Sequence, residues 1–225
     1  MTAPATLRDH ATRELRRALM AGRFEPGQRV TIRGLAEELG TSMTPVREAV
    51  ARLAAERAIE AEPNRWIRIP LLTAAELREL RDIRVALEGL ATERAAAHVT
   101  PALIEELQQR EAEIVALRPT GDAKAMIPAI GRLHFTIYRA SAMPALVQLI
   151  EGLWLRSGPY NNLLFRGYTQ QERGSLRGAT LRALARGDAS SARRSMEADV
   201  GNAVDWLIGL VEGGGGLIAA GDRAR

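Results

Sequence analysis

The chain contains no cysteine. That excludes disulfides, thiolate-bound zinc and thiol nucleophiles, and it fits a reducing compartment. Aromatic residues make up only 4% of 225, so a core must be assembled from leucine, alanine, valine and isoleucine. Alanine and leucine are strong helix formers and β-branched residues are comparatively few, which favours packed helices over sheets. No apolar run reaches the roughly 18 residues of a membrane span. The opening segment, MTAPATLRDHATRELRR, lacks the apolar centre of a secretory signal. A cytoplasmic protein is expected. There are three histidines, with no phosphate-cradling glycine loop and no clustered acid–base pair, so an enzyme finds little support. Lysine is nearly absent: Lys124 stands alone among the basic residues, the others being arginine. We assign that bias mostly to genomic composition.

What is present is a chain with 46% apolar residues, enough for a proper core in one large domain or two small ones. The net charge of +4 is unevenly placed. Residues 1–70 carry 12 arginines against 9 acidic residues, net +3, and the remainder is nearly balanced at net +1. A basic head on a neutral body is the distribution expected of a protein that meets nucleic acid.

Leu7, Ala11, Leu15, Ala18 and Leu19 recur at helical spacing, and the chain turns through Gly22–Gly27. A second helix holds Leu35, Ala36 and Leu39 on its inner face, and Gly40 ends it. Ser42 is the N-cap of a third helix, with Pro45 in its first turn and Val46, Val50 and Leu53 facing inward. Two short amphipathic helices joined by the tight Gly40–Thr41–Ser42 turn, with Arg47 pointing out of the second, form a helix-turn-helix that offers its recognition helix to the major groove of duplex DNA. Ile67, Arg68 and Ile69 alternate as a strand, and with Ile59 they flank a turn at Glu62–Arg65, a hairpin wing. After the Pro70–Leu72 junction, Thr73 to Glu76 is a capping box that opens a long helix. Only helical periodicity follows, with breaks at Thr100–Pro101, Pro119–Asp122, Ser141–Pro144, around Gly158–Pro159 and Gly167, and at Gly187–Asp188. The expected fold is mainly α: a winged helix-turn-helix over 1–70, an all-helical bundle of about six helices over 71–213, and a flexible glycine-led tail over 214–225.

These residues also carry a resemblance. Phe24-Glu25-Pro26-Gly27-Gln28-Arg29, Leu35-Ala36-Glu37-Glu38-Leu39-Gly40, and Ser42-Met43-Thr44-Pro45-Val46-Arg47-Glu48-Ala49-Val50 with Leu53 resemble, in order and spacing, the DNA-binding domain of the GntR family of bacterial transcription regulators. Arg84, Glu88 and the HFTIYRAS stretch at 134–141 resemble the helical C-terminal domain (FCD) of its FadR-type branch. The resemblance implies that Arg33, Ser42, Thr44 and Arg47 touch phosphate or base edges, and that Asn64 and Arg65 lie at the wing tip beside a groove. Arg47 is the strongest of these, since a guanidinium forks onto a guanine edge or a phosphate. Met43 departs from the pattern, standing where many relatives carry arginine. Trp66 is expected to pack under the wing.

In many FadR-type regulators the helical domain binds a divalent metal through one aspartate and three histidines. Here His134 matches the first histidine, four residues after Ile130 at the aspartate position, while Arg177 and Asp199 fall at the other two. Isoleucine and arginine are not zinc ligands, so no metal or other cofactor is expected. The alternative is an ion pair between Arg177 and Asp199 in place of the metal, with Arg84 and Arg177 clamping an anionic effector. The effector set is then Arg84, His134, Arg177 and Asp199. The resulting expectation is a homodimeric regulator, more often a repressor, that binds a near-palindromic operator and responds to a small, carboxylate-bearing metabolite. A ligand-independent architectural DNA-binding protein and a small metabolite-processing enzyme are the alternatives.

Overall fold

The computed structural model describes residues 7–61, 66–167 and 170–213. Asn64 and Arg65, and the expected tail from residue 214 on, lie outside the described residues. The chain divides into two compact units. One runs to Leu71 and takes in Trp154–Tyr160; the other holds Leu72–Leu153 and the described residues from Asn161 to Gly213.

The first unit contains α1 (Leu7–Met20), β1 (Arg29–Thr31), α2 (Ile32–Glu38), α3 (Met43–Ala55), β2 (Glu60–Ala61) and β3 (Trp66–Arg68). Its core is one cluster of Ala11, Leu15, Leu19, Phe24, Leu35, Ala36, Val46, Val50, Leu53, Ile67 and Ile69 with their neighbours, as the helical spacing predicts. The turn between α2 and α3 depends on Gly40, whose φ of 61° is open to glycine without a Cβ penalty. Gly40 N–H bonds to the Glu37 carbonyl at 3.2 Å and Thr41 N–H to the Ala36 carbonyl at 3.0 Å. This closes the end of α2 and reverses the chain within three residues. At the other end of α2, the Thr31 hydroxyl accepts the Gly34 N–H at 2.9 Å.

The sheet has the order β1-β3-β2, all antiparallel. β1 is a strand the periodicity does not reveal. Three residues are too few to show alternation, and Arg29–Thr31 becomes a strand because Val30 pairs opposite Ile67. Residues Trp154–Tyr160 also belong to this unit. Leu155 joins its core, Tyr160 Oη donates to the Pro70 carbonyl at 3.2 Å, and Gly158 lies directly on the Leu19 backbone.

The second unit contains α4 (Ala74–Ala95), α5 (Pro101–Leu117), α6 (Ala123–Ala140), most of α7 (Pro144–Ser157), the short α8 (Asn161–Gly167), α9 (Gln170–Ala185) and α10 (Ala189–Glu212). The Thr73–Glu76 capping box forms as expected. α4 and α10 lie side by side. Arg78–Glu212 and Arg81–Asp205 pairs tie one end and Arg193–Glu93, at 2.8 Å, the other.

A Cβ at position 158 would overlap the Leu19 carbonyl oxygen and carbon, and backbone atoms cannot step aside as a flexible side chain can. Gly158→Ala is therefore expected to destabilise the first unit by about 1–3 kcal/mol, read as a lowered unfolding midpoint in urea.

Candidate functional site

In α3 the burial pattern sorts the side chains by role. Pro45, Val46, Ala49, Val50 and Leu53 are buried. Thr44, Arg47, Ala51 and Arg52 are exposed, and Met43 keeps 42% of its surface. Apolar residues at 46, 50 and 53 fix the inner face, so Met43, Arg47 and Ala51, spaced by four, share the outer one. Ser42 occupies the N-cap in extended conformation, but its hydroxyl makes no capping bond. The residue type that reads as a cap from sequence thus leaves its hydroxyl outside the helix. The first turn of α3 carries no acidic side chain, so nothing offsets the positive end of the helix dipole toward an approaching phosphate. Arg47 makes no ion pair among the described residues. Arg33 is exposed on α2 and its Nε donates to Glu37 at 2.8 Å. That hydrogen bond, with the Glu37 charge, raises its pKa. Such an exposed pair is weak and a phosphate displaces it readily. Trp66 is 44% exposed, contrary to the expected packing under the wing. Ile67 and Ile69 fill that inner position, and strand alternation places their neighbour on the outside.

The second unit holds a chain of buried polar groups from three helices. Arg84 Nε on α4 donates to Glu88 Oε1 at 2.7 Å. Tyr138 Oη on α6 donates to the other Glu88 oxygen and sits 3.0 Å from His134 Nδ1. With the phenol proton committed to Glu88, His134 Nδ1 is left to donate to the phenol oxygen. His134 Nε2 then faces Asp199 Oδ2 on α10 at 3.4 Å. Burial, with the adjacent Glu88 charge, pushes the Tyr138 pKa well above the usual phenol value. Its contribution to stability is whole below the ordinary phenol pKa and is lost as pH rises from there through the raised folded value.

Arg177, on α9 and only 2% exposed, does not pair with Asp199. Its Nε donates to Glu111 Oε2 on α5 at 3.0 Å, and Arg118 approaches the other Glu111 oxygen at 3.6 Å. The two terminal nitrogens of Arg177 and the buried Nε of Arg118 have no hydrogen-bond partner among the described residues. The expected Arg177–Asp199 pair does not form: Arg177 meets Glu111, and Asp199 lies 3.4 Å from His134 Nε2. The shared clamp of Arg84 and Arg177 is also corrected, because each is held by a different carboxylate. Sequence reasoning missed Tyr138, Glu111 and Arg118. Tyr138 had a signal, lying four residues after His134 on an otherwise apolar face. Glu111 had none, because an acidic residue on a long helix normally faces water.

The family metal does not fit these residues. Ile130, at the aspartate position, is buried and apolar, and Arg177 brings a fixed cation to a ligand position. Among the described residues no group of three or more histidine, cysteine or acidic side chains is placed to hold an ion.

The first unit is therefore the DNA-binding head of a winged helix-turn-helix regulator. Residues 7–69 match the family of bacterial regulatory proteins called gntR, and residues 79–202 match the FCD domain. The chain is 34% identical over 159 residues to the HTH-type transcriptional regulator McbR of Escherichia coli K12, covering 71% of this chain and 72% of that one. The solved E. coli McbR/YncC structure superposes with a TM-score of 0.83 at 29% identity, over 93% of this chain and 98% of the other. A probable D-xylose utilization operon transcriptional repressor of Paenarthrobacter nicotinovorans is 33% identical over 132 residues, 59% of this chain and 58% of that one. The chain belongs to the GntR family, in the branch with a C-terminal FCD domain, a family of transcription regulators and not of enzymes.

Two outcomes follow from the buried chain and the unsuitable metal position. Tyr138→Phe removes one hydroxyl from between Glu88 and His134 and is expected to cost about 1–3 kcal/mol in urea unfolding. Dialysis against a strong chelator is expected to leave the thermal midpoint unchanged.

Proposed function

We propose that the protein is a cytoplasmic, homodimeric repressor that releases a near-palindromic operator when a small carboxylate-bearing metabolite binds its helical unit. One observation carries the effector side of this reading. Arg177 is buried, permanently charged and engaged through Nε alone, with both terminal nitrogens lacking partners among the described residues. A buried guanidinium left so is costly unless an anion completes it, and two parallel N–H groups match the two oxygens of a carboxylate. Arg118 adds a second guanidinium beside the same Glu111. Arg84, His134 and Asp199 complete the polar lining in this reading, as orienting groups more than as charge partners.

On the DNA side, Arg47 takes a guanine edge or phosphate, and Ser42, Thr44 and Arg33 hold phosphate oxygens. Asn64 and Arg65 reach the groove beside the wing. The operator form follows from the proposed dimer, since paired recognition helices need half-sites one helical turn apart, about 34–36 Å. Relatives named as repressors of the D-xylose and gluconate operons support the sign of control.

The test is a thermal-shift screen of mono- and dicarboxylic acids, with each stabilising acid then tried for release of bound operator. Arg177→Ala is expected to abolish the shift and the release while leaving operator affinity within about twofold, a change under 0.5 kcal/mol. An unaltered response would move the effector site elsewhere. Arg47→Ala is expected to weaken operator binding by about 1–3 kcal/mol in a fluorescence titration at fixed salt, with the melting temperature unchanged. Sedimentation equilibrium at twice the monomer mass of 24.5 kDa is expected for the dimer.

A further inference from the structure

We infer that Met43 reads the 5-methyl group of one thymine in each half-site, and so sets part of the operator sequence. This rests on the reading that α3 enters the major groove. Met43 is the first residue of α3, directly after the Ser42 N-cap, and residues at the N-terminus of a recognition helix are the ones that meet base edges. Its side chain is 42% exposed, so it contributes little to the core. It lies among Ser42, Thr44 and Arg47, all exposed and polar, and shares the outer face of the helix with Arg47 one turn on.

The chemistry then selects the partner. A thioether has no donor and only a weak acceptor, so it cannot satisfy the N7 and O6 acceptors of guanine or the amino groups of adenine and cytosine. The thymine methyl is the one apolar group on a major-groove edge. An unbranched, polarisable side chain with three rotatable bonds adapts to it readily. An arginine at position 43 would instead demand acceptors, so the methionine itself changes which base edge is favoured. Arg47 keeps the donor role four residues later.

The experiment selects binding sites from a randomised duplex pool with the full chain. Each thymine of the enriched site is then replaced singly by deoxyuridine, which removes only the methyl group. One thymine per half-site is expected to lose about fourfold in affinity on that swap, the worth of one buried methyl group. Met43→Ala is expected to bind the thymine and deoxyuridine duplexes alike, with an unchanged melting temperature. A wild-type chain indifferent to every such swap overturns the inference, and so does a Met43→Ala chain that keeps the methyl effect. Those results leave sequence-specific binding intact. A selection that enriches no sequence removes the DNA reading itself and this inference with it.

Discussion

The head depends on one seam: Val46, Ala49, Val50 and Leu53 of α3, all buried against α1, α2 and the wing strands. Full burial of a valine or leucine side chain stabilises by about 1.5–3 kcal/mol, far more than any exposed arginine pair on this surface contributes. The aliphatic face therefore fixes the rotation of α3, and the polar face follows from it. A helix anchored this way cannot roll to hide Arg47 or Met43 without exposing Val46 and Val50. Recognition geometry is thus a by-product of packing. The closed end of α2 at Gly40 and the extended Ser42 set where the rod begins.

The bundle works on the opposite principle. Its interior includes charges, and buried charges are tolerated only when paired and hydrogen-bonded. Arg84, Glu88, Tyr138 and His134 answer that demand through hydrogen bonds from α4 to α6, and Asp199 of α10 lies 3.4 Å from His134 Nε2. Arg177 answers it in part, through Nε to Glu111. Breaking a buried pair costs more than a pair contributes, and a guanidinium engaged through one nitrogen alone is a place where an anionic ligand gains much.

The head was legible in the sequence because its rules are local. A glycine at a helix end, a proline in a first turn and apolar residues at 46, 50 and 53 act within a few neighbours. β1 escapes because three residues hold no period, and Trp66 lies outside because strand alternation gives the inner place to Ile67 beside it. The bundle was legible as helices and not as contacts. Which carboxylate Arg177 meets depends on how α5 and α9 pack, and nothing within α9 names Glu111, 66 residues away. The same holds for Leu155, whose place in the head's core follows from the course of the chain after α7 begins and not from any pattern around it.

On the proposed reading, an arginine at a position where the resemblance implies a metal ligand changes what control responds to. A histidine-bound metal must be supplied, and its ligands must be deprotonated, so an effector held by the metal inherits dependence on metal level and pH. A guanidinium stays protonated throughout the physiological range. On the proposed reading, the site trades coordination chemistry for a fixed fork that accepts a planar, two-oxygen anion and discriminates by geometry. Effector strength in such a site is governed by how well the anion replaces water at the terminal nitrogens of Arg177, and hence by its shape more than by its charge.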